Sequence, residues 1–149
     1  MENFFEAILS NQPLIATLAA WFLAQSLKIT IDFKREHKFD LKSFALPGGF
    51  PSSHAAAVSA LAISCGLNFG FGSGLFALST VLAGIIIYDA KVVRGAAGKQ
   101  AEFLNKIIDV FYKEKEPKAE RLKEILGHTP FEILFGILLG IFVAVLLNL

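Results

Sequence analysis

The sequence has one cysteine, little charge and no basic residue near either end. Cys65, alone in 149 residues, excludes an intrachain disulfide and any metal site built from several thiolates. Charged residues make up 18% of the chain, below the roughly one-quarter usual for a soluble domain. No Lys or Arg precedes Lys28, so the start MENFFEAILSNQ lacks the positive n-region of a secretory signal. Internal repeats and low-complexity linkers are also missing, and the length suits a single domain, 1–149. What fills the chain is apolar. Hydrophobic residues reach 54% and mean hydropathy is +0.58, which excludes disorder. Fifteen Phe and twelve Gly suit close-packed helices in lipid.

A membrane-crossing helix needs about 20 mostly apolar residues. Four stretches approach this: 13–31, 54–69, 74–88 and 129–147. The second, rich in Ala, Ser and Gly, is the weakest by hydropathy. The fourth is the cleanest, and its Gly136 and Gly140 form a small-xxx-small pair that allows close helix contact. Only NFGFGSG separates the second and third stretches, whereas polar segments at 32–53 and 91–128 separate the others. Within 100–112, Phe103, Leu104, Ile107, Ile108 and Phe111 share one face at helical spacing. That amphipathic helix either packs on the bundle or lies in the membrane interface. Pro117 ends it or starts the next element. A second short helix is expected over 119–126, with Gly127 as its stop signal. The fold expected is all-α: a polytopic membrane helix bundle of about four transmembrane helices, plus one or two short amphipathic helices in the second long loop.

All 14 basic residues fall in or beside the two long loops. Lys28, Lys34, Arg35, Lys38 and Lys42 belong to the first loop or the end of the span before it, and the rest, from Lys91 to Lys123, to the second. The positive-inside rule then puts both loops in the cytoplasm and both termini outside. The expected location is integral to a membrane, the cell membrane if the source is bacterial.

Polar residues gather where the loops meet the spans: Lys28 and Arg35 after the first, His54 at the start of the second, Asp89 and Arg94 after the third, His128 and Glu132 at the start of the fourth. Ionisable groups at such depths are candidates for function. Structural roles are available to each. Lys28 fits a snorkelling interfacial lysine, Arg35 a topology-setting cation, Asp89 and Arg94 an ion pair, and Ser52 or Ser53 a helix cap. His37, within KREHK, reads as a solvated loop residue and Cys65 as a small packing residue.

The segment GGFPSSHAAAVSAL resembles the phosphate-binding signature P-S-G-H of the type 2 phosphatidic acid phosphatase (PAP2) family, relatives of vanadium haloperoxidases. That family carries K-x6-R-P, P-S-G-H and S-R-x5-H-x3-D in order. Here Lys28 and Arg35 match the first, with Glu36 for Pro. Pro51, Ser52, Ser53 and His54 match the second, with Ser53 for Gly. His128 and Glu132 match the end of the third, with Glu for Asp. The third-motif Arg would fall at Leu122; Arg121 is one residue off, about 100° around a helix, and Arg94 is the alternative supplier. The family's usual six spans exceed the four this chain has room for. The chain is more closely similar to a divergent branch of that family, marked by GGxPSSH, YDAxxVRxAAGKQAxxLN and LGHTPxE, which read here GGFPSSH, YDAKVVRGAAGKQAEFLN and LGHTPFE.

The resemblance implies a membrane phosphatase that hydrolyses a lipid phosphate or pyrophosphate through a phosphohistidine intermediate, without cofactor or metal. His128 is then the nucleophile, Glu132 the group that orients its ring, and His54 the acid for the leaving oxygen. Lys28, Arg35, Arg94, Ser52 and Ser53 bind phosphate, with Asp89 beside them. The partners implied are a phosphorylated substrate and the membrane, with a homo-oligomer open and no nucleic acid. Two alternatives stand beside this: a lipid- or phosphate-binding scaffold that has lost the chemistry, and a small transporter component.

Overall fold

The structure is a computed structural model that describes residues 3–36, 49–111, 122 and 127–149. Among the described residues six α-helices follow one another: α1 (Phe4–Leu9), α2 (Gln12–Glu36), α3 (Ser53–Phe69), α4 (Gly74–Tyr88), α5 (Arg94–Phe111) and α6 (Pro130–Leu147). A π-helical turn, Asp89–Val93, joins α4 to α5. Among the described residues there is no strand, so the chain is an all-α helix bundle.

Among the described residues three helical stretches are long and apolar enough to cross a membrane: Gln12–Lys34, Gly74–Asp109 and Pro130–Leu147. The expected fourth, α3, has 17 residues and is shorter than that measure requires. It nevertheless runs the full length of its neighbour α6. At one end the Ser52 N–H donates to the Glu132 carbonyl at 3.1 Å. At the other, Asn148 Nδ2 donates to Ser64 Oγ at 3.1 Å, and Asn68 Nδ2 donates to the Asn148 side-chain oxygen. Helices α3 and α6 are therefore parallel and in register, and α2 and α4 run antiparallel to them.

Helix α3 sits at the centre, packed against α2, α4 and α6. Its small residues explain this position. Ala56 and Ala60 of α3 join Ala16, Ala20 and Ala24 of α2 and Val143 and Ala144 of α6 in one buried cluster. A Cβ added at Gly136 would strike the Ser52 carbonyl oxygen, and one at Gly140 the Ala56 carbonyl oxygen. The small-xxx-small pair thus serves contact within the chain, backbone against backbone, where dispersion replaces the hydrophobic effect as the source of helix association. The tight turn after α3 closes over Gly66, whose absent side chain leaves room for the Phe71 ring. Gly70 supplies the turn's left-handed backbone at φ +88°.

The helices start and stop where their caps dictate. Ser52 Oγ accepts from the Ala55 N–H, and Ser73 Oγ accepts from the Phe76 N–H. Thr129 and Glu132 form a reciprocal capping box before α6, with Pro130 in its first turn.

Two expectations need correction. The first span does not stop near 31 but continues through KITIDFKRE to Glu36. The second polar segment does not open as a loop at Lys91. Between Tyr88 and Gln100 no proline interrupts the chain, and the helix passes through the π turn into α5, giving 36 continuous residues from Gly74 to Asp109. The proposed helix over 119–126, like His37, Lys38 and Lys42, lies outside the described residues, Leu122 excepted. The short α1, with its exposed Phe4, Phe5 and Leu9, had no counterpart in the sequence reading.

Candidate functional site

The antiparallel arrangement brings one end of every long helix together, and the predicted residues meet there. Lys28 reaches the site from α2. It is 5% exposed although charged, and its stem lies against Gly49. A Cβ at Gly49 would come within 2.6 Å of Lys28 Cε, and Gly49 holds φ +93°, a conformation that favours glycine. Gly49, the second glycine of GGFPSSH, is thus the floor on which the lysine lies.

His54, the second residue of α3, faces His128, which precedes the cap of α6. Their ring centroids are 6.3 Å apart, edge to face at 73°. Lys28, Asp89 and Arg94 are all electrostatic neighbours of His54, and Lys28, Arg94 and Glu132 are those of His128. Six ionisable side chains from four segments thus act on one another at one mouth of the bundle.

The π turn sets the geometry of two of them. On an α-helix, residues five apart stand about 140° around the axis from each other. Across the π turn, Asp89 and Arg94 meet, with Arg94 Nε donating to Asp89 Oδ2 at 3.1 Å. The expected ion pair is therefore formed. Both side chains remain partly exposed, at 37% and 44%, so the remaining guanidinium donors stay accessible. The same turn anchors the catalytic candidate, because the His128 N–H donates to the Ala90 carbonyl at 3.1 Å. Beside that bond, Gly127 lies directly on the backbone of Gly95 and Lys91.

Glu132 was expected to hold the His128 ring. Instead its Oε2 accepts from the Thr129 N–H at 3.0 Å, and among the described residues His128 Nδ1 has no hydrogen-bond partner. The carboxylate still acts on His128 through its field. Burial is the larger effect and holds the His128 imidazolium below the ordinary histidine range, with Glu132 and the Ala90 carbonyl opposing it. The ring is therefore neutral near pH 7, the form a nucleophile requires.

Ser52 is fully buried. Its N–H is bound to Glu132 and its hydroxyl accepts at the α3 cap, so it connects α3 to α6. Ser53 is buried in the first turn beside it. The Arg35 side chain lies outside the described residues; its backbone is seven residues beyond Lys28 on α2, about 10.5 Å along the axis. Sequence reasoning missed Gly49, Ala90 and Thr129 and read Gly127 as a helix stop. The GG pair beside PSSH and the glycine beside His128 were the available signals.

No cluster of metal-ligating side chains occurs among the described residues. No solved structure matches the chain. A curated relative, the "uncharacterized membrane protein YuiD" of Bacillus subtilis (strain 168), is 41% identical over 152 residues, covering 94% of this chain and 96% of its own. The family model described as "Divergent PAP2 family" matches residues 9–143, and it is to this family of membrane proteins that the chain belongs.

Proposed function

We propose that the chain is a membrane phosphatase acting on a lipid phosphate or pyrophosphate at the mouth formed by Lys28, His54, Arg94 and His128. The observation that carries the reading is the facing pair of imidazoles, His54 and His128, whose 6.3 Å centroid separation lets one phosphate group touch both. Two cations, Lys28 and Arg94, flank the same space. Phosphoryl transfer depends mainly on positioning and on charge neutralisation, which this arrangement supplies.

In the proposed sequence the neutral His128 imidazole attacks phosphorus. A P–N bond forms while the P–O bond to the leaving alcohol or phosphate breaks. His54, which the negative charge of a bound phosphate would keep protonated, gives its proton to that leaving oxygen. A water molecule then attacks the phosphohistidine and gives a proton to the now neutral His54, releasing inorganic phosphate and restoring both rings. Lys28 and Arg94 hold the non-bridging oxygens, Arg94 through the donors its Asp89 contact leaves open. Arg35 and the Ser53 region belong to the same phosphate-binding group. Glu132 steadies the imidazolium-like transition state by charge.

The second reading is a phosphate- or lipid-binding protein without turnover. It is favoured by Glu132 serving as a cap, which leaves His128 Nδ1 without a carboxylate to orient it. The deciding experiment incubates purified protein in detergent with lipid monophosphates and pyrophosphates and measures phosphate release. The catalytic reading expects turnover that His128→Ala and His54→Ala each abolish, and radiolabelled phosphate trapped on the wild type but not on His128→Ala. Binding of the same lipids with no release in the wild type establishes the second reading. Both loops and this mouth are proposed to face the cytoplasm; a C-terminal reporter that reads cytoplasmic overturns that orientation.

A further inference from the structure

We propose that α5 lies along the membrane surface, with Phe103, Leu104 and Ile107 sunk among the lipid chains beside the bundle. The inference concerns how the chain sits in its bilayer and does not rest on the proposed catalysis.

The first observation is which face of α5 the protein itself covers. Asn105 is buried because its side-chain amide donates to the Leu122 carbonyl at 2.8 Å and its oxygen accepts from the Leu122 N–H at 2.9 Å. Leu122 therefore lies on the polar side, where Glu102 and Lys106 also pair at 2.7 Å. The apolar side stays open, with Phe103 65%, Leu104 45% and Ile107 37% exposed. Helix α5 packs closely on the π turn but makes no extended contact with α2, α3, α4 or α6. Among the described residues, then, α5 does not pack along the helices of the bundle, one of the two expectations for it.

The second observation says what covers the open face. Helix α5 is not a separate element tethered by a loop; it continues a span. The stretch from Gly74 to Asp109 has 36 residues, about 54 Å of helix against about 30 Å of hydrocarbon. Fifteen residues of α4 use about 22 Å of it. Helix α5 accordingly begins near the boundary between hydrocarbon and head groups. Exposed large apolar side chains reach that boundary at Ile85 and Tyr88 on α4 and Val92 and Val93 on the π turn, and resume after nine intervening residues on α5 at Phe103 and Leu104. A π turn is also a place where a helix bends. Because the span already holds α5 at the surface, lipid meets it at high effective concentration and a weak affinity suffices.

The driving force is apolar burial rather than charge. Arg94, Lys99 and Lys106 are nearly balanced by Glu102 and Asp109 along α5. Its seat should therefore depend little on anionic lipid.

The test uses the full chain with Cys65→Ala as background. Single cysteines at exposed α5 positions, Phe103→Cys, Leu104→Cys, Ile107→Cys, Lys99→Cys, Glu102→Cys and Lys106→Cys, carry a polarity-sensitive fluorophore. Variants with native-like circular dichroism are placed one per phosphatidylcholine nanodisc containing spin-labelled lipid. The expected result is quenching and a blue shift at 103, 104 and 107 severalfold stronger than at 99, 102 and 106, unchanged by added phosphatidylserine or salt. Equal quenching on both faces overturns the proposal. So does a blue shift at 103 that appears only with two copies per disc, accompanied by cross-linking through Phe103→Cys, which would assign the face to a second copy of the chain.

Discussion

Replacing Gly127 by Ala isolates the contact that places His128. A Cβ at this position would lie 2.7 Å from Gly95 Cα, 2.8 Å from Gly95 N and 2.9 Å from the Lys91 carbonyl oxygen. All three are backbone atoms of the helix, so no flexible side-chain end exists to move aside. The segment before α6 has to lift, and the adjacent His128 N–H to Ala90 bond stretches or breaks. Overpacking of this kind costs about 1–3 kcal/mol, and the lost buried hydrogen bond adds about 1 kcal/mol. The expected total is about 2–4 kcal/mol, read from reversible unfolding in mixed micelles by circular dichroism. The control uses the other side of the same contact. A Cβ at Gly95 would meet Gly127 Cα at 3.9 Å, an ordinary distance. Gly95→Ala is therefore expected to be neutral or to stabilise by up to about 1 kcal/mol through helix propensity. Gly127→Ala within about 0.5 kcal/mol of wild type, or Gly95→Ala as costly as Gly127→Ala, would refute the reasoning.

Three further outcomes follow from the same structure. Because burial depresses the His128 value, the folded protein binds fewer protons there than the unfolded chain. Its contribution is complete above the unfolded histidine value of about 6.5 and is lost as pH falls below it, so His128→Gln should flatten the acid slope of stability measured in micelles. Gly140→Leu places a side chain against the Ala56 carbonyl and should separate α3 from α6, costing about 3 kcal/mol or more by the same unfolding assay. Thr129→Ala removes the hydroxyl that accepts from the Glu132 N–H, while the Glu132 carboxylate keeps its bond from the backbone N–H of residue 129. A loss of about 1 kcal/mol is expected by the same unfolding assay.

The bundle was legible where the chain states it locally. The long apolar runs, the NFGFGSG turn and the Gly136/Gly140 pair each act through length, backbone freedom or absence of a side chain, and these properties belong to the residues themselves. The convergence of Lys28, His54, Arg94 and His128 was also readable, because helices joined by loops at one end place those ends side by side. What escaped was backbone detail. Nothing in YDAKVVRG announces a π turn, whose backbone meets Gly127 and His128, more than 30 residues away in sequence. The role of Glu132 escaped for a related reason. T-P-F-E reads as a capping box and as part of a histidine motif, and the two need the Glu132 side chain aimed in different directions, of which the structure shows the cap. The π turn also hid the continuity of α4 and α5, because Gly95 and Gly98 resemble a loop on the page.

The core shared by α2, α3 and α6 has a consequence for how this protein tolerates change. Its buried positions are Ala16, Ala20, Ala24, Ala56, Ala60, Val143 and Ala144, and among the described residues the largest fully buried side chains are the serines Ser52 and Ser64. Truncation, the commonest way to damage a protein interior, has almost nothing to remove here. Injury comes only from enlargement. An alanine scan would pass over the most constrained part of the molecule in silence, whereas a scan to valine or leucine would trace the helix contacts residue by residue.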